Sequence, residues 1–233
     1  MKNLFRVKIC GVTTPDDARL AADSGADAIG FNFVPGSVRC LGVTDARTMT
    51  AVVPAGVLKV GVFAGADPAA IRRIATEVGL DAIQLHGHLD GAAAPVDPPA
   101  AAAALAGLKL IRAVRLESDG LAAARRWLAA AEAAGATIEM VIVDASVPRT
   151  AAGGALGGTG ARVDWAALAA EPPLGIPLAV AGGLDPGNVA EAIRITGASG
   201  VDTASGVESA PGRKDPTKVR AFVTAARQAF AAL

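Results

Sequence analysis

Tyrosine is absent from this 233-residue chain, and cysteine and histidine occur only twice each. Two thiols, Cys10 and Cys40, cannot build a disulfide framework, so both are expected free, as in a reducing compartment. The two histidines, His86 and His88, stand two residues apart with no third ligand nearby, and no metal is expected there. Neither sign of charge is in excess: 22 Lys and Arg face 22 Asp and Glu. That balance gives no electrostatic footprint for nucleic acid, and no basic run or basic amphipathic stretch suggests a membrane surface. No apolar run reaches about 18 residues, and the N-terminal stretch has no signal-like apolar core. A cytoplasmic location with no nucleic-acid or membrane partner is the expectation. The abundance of alanine is a compositional bias that carries no function.

What is present is an alternation of strand-like and helix-like segments from end to end. Strands are expected at Phe5–Cys10, Asp27–Phe33, Val57–Phe63, Asp81–Leu85, Lys109–Val114, Ile138–Asp144, Ile176–Ala181 and from Gly200 to Thr203. Most are β-branched apolar runs, as in strands buried on both faces. Helices are expected at Thr14–Ser24 (Thr14 as N-cap, Pro15 first, Gly25 as stop), Thr44–Val53, after Asp67-Pro68 up to Gly79, and over Asp119–Ala134. Others follow near Asp164–Ala170, from Asp185-Pro186, and near Pro216–Ala231. Asp90–Ala106, with Pro95, Pro98 and Pro99 before an alanine run, reads as an irregular, mobile surface stretch and a short helix. The turn after the first strand, Cys10-Gly11-Val12-Thr13-Thr14, lacks the Gly-x-Gly-x-x-Gly of an open dinucleotide-binding sheet. Eight β/α pairs with mostly short connections point to an α/β fold of the closed (β/α)8 TIM-barrel type, a single domain over residues 1–233.

In such a barrel the C-terminal ends of the strands face the active site. Cys10 closes the first strand and Asp144 the sixth, a thiol and a carboxyl able to act as acid and base on one small substrate. A buried inert thiol is the other reading of Cys10, although Lys8 shares its strand face and an ammonium there favours the thiolate. Three glycine-bearing segments cluster late: Gly157-Gly158-Thr159-Gly160, Ala181-Gly182-Gly183-Leu184 and Ala204-Ser205-Gly206-Val207-Glu208. Two directly follow strands seven and eight, where barrels commonly hold a phosphate on backbone N–H groups. Phosphate contacts are therefore expected at Gly158, Thr159, Gly160, Gly182, Gly183, Ser205 and Gly206. Arg39, in the loop after strand two, is either a solvated charge or a guanidinium placed to hold a carboxylate. His86, ending strand four, is a polar wall of the pocket or a satisfied structural histidine. Asp202, in strand eight, needs a partner at a buried barrel end: substrate hydroxyls, Lys8 or Arg39.

Taken in order, these segments resemble the phosphoribosylanthranilate isomerase family of tryptophan biosynthesis. The resemblance rests on Lys8-Ile9-Cys10-Gly11-Val12-Thr13, Gly25-Ala26-Asp27-Ala28-Ile29-Gly30-Phe31, Gln84-Leu85-His86-Gly87 and Val143-Asp144-Ala145. It continues through Gly157-Gly158-Thr159-Gly160, Ala181-Gly182-Gly183-Leu184 with Asn188-Val189, and Ser205-Gly206-Val207-Glu208-Ser209 with Gly212 and Lys214-Asp215. It implies an Amadori rearrangement of a phosphoribosyl substrate with no metal or organic cofactor, by a monomer or homodimer. It further implies Cys10 as base, Asp144 as acid, Arg39 on the anthranilate carboxylate, the glycine loops on the phosphate, and Asp202 and His86 around the substrate. That chemistry asks for a Cys10 pKa below the free value of about 8.5. It also asks for an Asp144 that holds a proton when the sugar ring opens.

The chain departs from the family pattern in three places. The loop after strand two reads Pro35-Gly36-Ser37-Val38-Arg39-Cys40, without the family's proline before the arginine and aromatic after it, which is expected to free the loop. Ala204 stands where a serine is frequent, and the Asp90–Pro99 stretch is unusual. Related barrels fit less well. An aminoimidazole isomerase of histidine biosynthesis would carry aspartate where Cys10 stands. An indole-glycerol-phosphate synthase would need a lysine acid that the late strand ends lack. A non-catalytic phosphate-ligand binder would need neither Cys10 nor Asp144.

Overall fold

The structure, a computed structural model, describes residues 3–87, 97–144 and 163–233. Eight parallel strands close into a barrel in sequence order: β1 (Val7–Cys10), β2 (Ala28–Asn32), β3 (Leu58–Phe63), β4 (Ala82–Leu85), β5 (Lys109–Val114), β6 (Ile138–Val143), β7 (Leu178–Val180) and β8 (Gly200–Thr203). The helices between and after them are α1 (Pro15–Asp23), α2 (Val43–Thr50), α3 (Pro68–Val78), α4 (Pro99–Ala103), α5 (Ala122–Ala133), α6 (Trp165–Ala170), α7 (Val189–Thr196) and α8 (Pro216–Ala231). This is the (β/α)8 barrel expected from the alternation. Among the described residues, no helix is long and apolar enough to cross a membrane.

Local chemistry explains most helix starts. The side chains of Thr14, Asp67, Asp164 and Asp215 each accept a backbone N–H of the first turn, and proline opens α1, α3 and α8. Two starts lie later than the sequence suggests, for a common reason: a polar turn forms first. Ahead of α5, Glu117 and Gly120 exchange backbone hydrogen bonds, with Gly120 at φ +73°, so the helix begins at Ala122 rather than Asp119. Ahead of α7, Asp185 Oδ1 accepts from Gly187 N and Asn188 Oδ1 accepts from Asp185 N, and Val189 is the first helical residue. Between β8 and α8 the chain adds a 3-10 turn at Ser205–Val207 and a small antiparallel hairpin, β9 (Glu208–Ala210) with β10 (Arg213–Lys214), which the strand pattern did not announce.

Alternation along the strands divides the core in two. Outward residues such as Val7, Ile9, Phe31, Leu85, Val141 and Val201 pack under the helices. The inner cluster is Phe5, Ala28, Val60, Ala82, Ile111, Met140, Ile142, Ala179 and Ala181. Packing one layer of small residues with Met140 and Ile142 fills the lower barrel and leaves its upper interior to polar side chains.

One polar group lies outside the barrel wall, between sheet and helices. Arg112, on the outer side of β5, is fully buried, with its guanidinium 4.6 Å over the Trp127 ring of α5. It donates to Asp97 Oδ2 (3.2 Å) and to the Gly87 carbonyl (2.8 Å). Asp97 also accepts from Gly65 N and Gly87 N, and its carbonyl accepts from Trp127 Nε1. Burial lowers the Arg112 pKa to about 10, with Asp97 opposing the shift. The sequence placed Asp97 in a surface stretch; the structure buries it to 2% exposure because Arg112 needs a counter-ion there. Residues 88–96 of that stretch lie outside the described residues. Asp97→Ala leaves a buried guanidinium without its charge partner and is expected to cost about 3–5 kcal/mol. Urea unfolding followed by far-UV circular dichroism checks this. A midpoint equal to wild type would mean the pair contributes nothing.

Candidate active site

The strand ladder decides which side chains meet. Lys8 stands opposite Ala28 of β2 and opposite Asp202 of β8, and Ala28 belongs to the inner cluster. Lys8 and, two residues on, Cys10 therefore point into the barrel, as does Asp202. Gln84 and His86 follow Ala82 on the inner side of β4, and Asp144 follows Met140 and Ile142 at the end of β6. The residues expected to carry chemistry thus share the C-terminal mouth.

At its floor, Lys8 Nζ donates to Asp202 Oδ1 at 3.0 Å, with side-chain exposures of 0% and 6%. Of the partners open to Asp202, the structure chooses Lys8. Burial works against the Lys8 charge, but Asp202, assisted by Cys10, outweighs it and raises the lysine pKa. Burial also pushes the Asp202 carboxyl up, against the pull of Lys8. Cys10 is half-buried over Gly30, its partner in the ladder: a Cβ on Gly30 would stand 2.5 Å from Cys10 Sγ. Burial pushes the thiol pKa up and prevails over the lowering by Lys8 and Lys214. The expectation of a thiol below its free value is therefore not met, because desolvating an anion outweighs one or two neighbouring cations.

His86 N donates to the Phe63 carbonyl at 2.7 Å, and Gln84 Nε2 lies 3.1 Å from His86 Nδ1. Burial lowers the His86 pKa, Asp144 pulling the other way, so the ring is neutral near pH 7. With Gln84 donating, Nδ1 accepts and the ring proton lies on Nε2. Asp144 is 8% exposed, and its N–H is fixed by the Val114 carbonyl at 2.8 Å.

Arg39 is not a solvated charge. It is 6% exposed, and its Nε and Nη2 donate to Glu208 Oε1 (2.8 Å) and Oε2 (2.7 Å). The Glu208 bonds raise its pKa further. Its stem crosses Gly11, where a Cβ would come within 2.3 Å of Arg39 Cδ. The loop it stands on is braced rather than freed: Ser37 Oγ accepts from Arg39 N and from Asn32 Nδ2, and Leu41 N donates to the Asn32 carbonyl. These bonds do the work of the missing proline. Glu208 also accepts from Lys214 Nζ (2.9 Å), which donates as well to the Ala204 carbonyl (3.0 Å). Glu208 and Lys214 were visible in the sequence only as parts of a motif. Their shared burial comes from the hairpin, which no local pattern signals.

The loops after β7 and β8 are packed onto each other. Gly182 and Gly183 have φ of +80° and +64°, a backbone that side chains disfavour. A Cβ on Gly206 would lie 1.8 Å from the Leu184 carbonyl oxygen, and Thr203 Oγ1 donates to that same oxygen. Ser205 is exposed beside them. Gly158, Thr159, Gly160 and His88 lie outside the described residues. Among the described residues, no three His, Cys, Asp or Glu side chains are grouped as metal ligands.

A family model described as PRAI: N-(5'phosphoribosyl)anthranilate (PRA) isomerase matches residues 7–225. A relative named N-(5'-phosphoribosyl)anthranilate isomerase, from Myxococcus xanthus, is 41% identical over 223 residues, covering 95% of this chain and 96% of its own. Among solved structures, the phosphoribosyl anthranilate isomerase of Thermotoga maritima superimposes with a TM-score of 0.79 at 31% identity, over 96% of this chain and 99% of its own. A phosphoribosyl anthranilate isomerase in complex with reduced 1-(o-carboxyphenylamino)-1-deoxyribulose 5-phosphate gives 0.76 at 32% identity, over the same shares.

The Arg39–Glu208–Lys214 cluster has a pH signature. Burial opposes the Glu208 charge, but its bonds to Arg39 and Lys214 prevail and hold its pKa below the ordinary carboxylate value. A depressed folded-state pKa stabilises above the unfolded value, about 4.3, and that stability is lost as pH falls through the folded value. Glu208→Gln is expected to lower stability at pH 7 by about 3 kcal/mol, a gap that closes below about pH 4. Denaturation curves across that range check it; a gap independent of pH would show that Glu208 acts through packing alone.

Proposed function

The chain belongs to the N-(5'-phosphoribosyl)anthranilate isomerase family, and on that premise we propose that it carries out the family's Amadori rearrangement in tryptophan biosynthesis. N-(5-phosphoribosyl)anthranilate becomes 1-(2-carboxyphenylamino)-1-deoxyribulose 5-phosphate. The observation that carries the assignment of roles is the meeting of Cys10 and Asp144 at one barrel mouth, from strands on different sides of the same inner face.

Asp144 protonates the ring oxygen, and the furanose opens to a Schiff base. Cys10, as thiolate, removes the proton from C2′, and the resulting enolamine becomes the ketone. In that last step C1′ takes up a proton and the C2′ hydroxyl gives one up, which returns Cys10 to thiolate and Asp144 to acid, so proton transfers alone suffice and the scheme uses no metal and no organic cofactor. The elevated thiol pKa makes Cys10 a stronger base once it is ionised, at the cost of a smaller ionised fraction. Neutral His86 offers its Nε2 proton as a hydrogen-bond donor to the substrate. Asp202, held by Lys8, faces the sugar hydroxyls.

The loops at Gly182-Gly183 and Ser205-Gly206, joined through Leu184, receive the phosphate, together with Gly158, Thr159 and Gly160 from the loop after β6. Arg39 uses Nε and Nη2 on Glu208, and its other edge, with Nη1, takes the anthranilate carboxylate. The substrate is a small phosphorylated metabolite, and the reaction is cytoplasmic.

A fluorescence assay tests this reading, following loss of phosphoribosylanthranilate made in situ from anthranilate and phosphoribosyl pyrophosphate. Cys10→Ser and Asp144→Asn are each expected to lower kcat by at least about 100-fold. Turnover indifferent to both would sink the assignment of base and acid. Arg39→Met is expected to raise KM more than it lowers kcat, because a carboxylate far from the reacting carbons is bound alike in ground and transition states. The opposite split would remove Arg39 from substrate binding.

A further inference from the structure

Lys214 has no part in the scheme above, yet it is a buried ammonium at the mouth of the barrel, with a side chain of 0% exposure. Its place relative to Cys10 follows from the ladder. Lys8 pairs with Asp202 and Ile9 with Thr203, the last pair of the ladder, and Cys10 and Ala204 are the residues that follow on the two strands. The carbonyl of Ala204 is the one that holds Lys214 Nζ, at 3.0 Å. Lys8 lies one alternation below Cys10 on the same strand face, and the Arg39 stem crosses Gly11 just above. On the β2 side Cys10 meets Gly30, which brings no charge. The charged groups around Cys10 are thus Lys8 from β1, Asp202 from β8, Lys214 from β10 and Arg39 from the loop after β2, with its partner Glu208 from β9.

Lys8 has Asp202 to itself, whereas Arg39 and Lys214 share the single carboxylate of Glu208. Within these two clusters three cations face two anions, one positive charge in excess beside a thiol, while Asp144 acts on the Asp202 side of the mouth. A surplus buried cation is costly unless an anion forms next to it. Burial does lower the Lys214 pKa, with Glu208 and Cys10 opposing it.

We propose that Lys214, carried on the β9–β10 hairpin, is a positioning residue for the base: with Lys8 it brackets Cys10 between buried ammonium groups, and the Cys10 thiolate neutralises the cluster's surplus charge. The proposal rests on Cys10 as the base. It gives the hairpin a role in the chemistry, and it explains how a half-buried thiol ionises often enough to be useful.

The test reads the thiol directly. In a Cys40→Ser background, which removes the exposed thiol, the rate of Cys10 alkylation by iodoacetamide is followed against pH in the ligand-free protein. Lys214→Met is expected to move the midpoint up by about one pH unit, slowing alkylation about tenfold at a pH well below it. Lys214→Arg, which keeps the charge, is expected to return the midpoint near wild type. Asp202→Asn removes a neighbouring anion and is expected to move it down. A folded Lys214→Met protein with an unmoved midpoint would overturn the proposal, as would a midpoint shifted equally by Met and Arg. Turnover is measured on the same proteins, with kcat/KM expected to fall with the thiolate fraction. A shifted midpoint with unchanged turnover would overturn Cys10 as the base while leaving the charge bracket in place.

Discussion

The ion pair between Lys8 and Asp202 joins the first strand of the barrel to the last. These strands are far apart in sequence, and the barrel closes only where they meet. The pair lies above the apolar filling of Phe5, Met140 and Ala179, its side chains 0% and 6% exposed. A buried pair of this kind contributes little net stability, because desolvation consumes most of its attraction. What it does secure is geometry. It fixes the level at which the interior turns from apolar to polar, and Cys10, His86 and Asp144 all stand on the polar side of that level. The electrostatics of the mouth follow from it, because Cys10 and His86 ionise against a floor that already holds one charge of each sign.

The closing of the mouth depends on a second set of charges, from loops rather than strands. Glu208 grips Arg39 from the other side of β1 and Lys214 from its own hairpin, so one carboxylate ties the loop after β2 to the segment after β8. The Arg112–Asp97 group plays the corresponding part on the outer wall near β4, anchoring the peptide that follows His86. Both arrangements put buried charge where loop backbone must be held still. Apolar packing cannot hold such backbone, because it leaves peptide N–H and carbonyl groups without partners.

Much of this was legible in the chain because it is local. The strands are β-branched runs, the helices open on Thr14, Asp67, Asp164 and Asp215, and the alternation that turns Lys8 and Cys10 inward needs no tertiary information. The positions of Cys10 and Asp144 followed from strand ends alone. What was not legible depends on partners distant in sequence. Asp97 looks like a loop residue until Arg112 is seen behind it. Arg39 looks solvated until Glu208, 169 residues on, closes over it. The balance at Cys10 was hidden for a related reason: the neighbouring lysine is visible in the sequence, and the desolvation that outweighs it is not.

Gly30 sets a limit on what this barrel is able to become. Its missing side chain is the space into which the Cys10 sulfur is folded, so strand two decides how large the reactive group of strand one may be. A carboxylate in place of Cys10 would be larger than the sulfur and would have to project past Gly30 into the space between Lys8, Asp202 and Lys214. The end of β1 is therefore not free to vary alone: the size of its reactive group is coupled to the residue that faces it on β2.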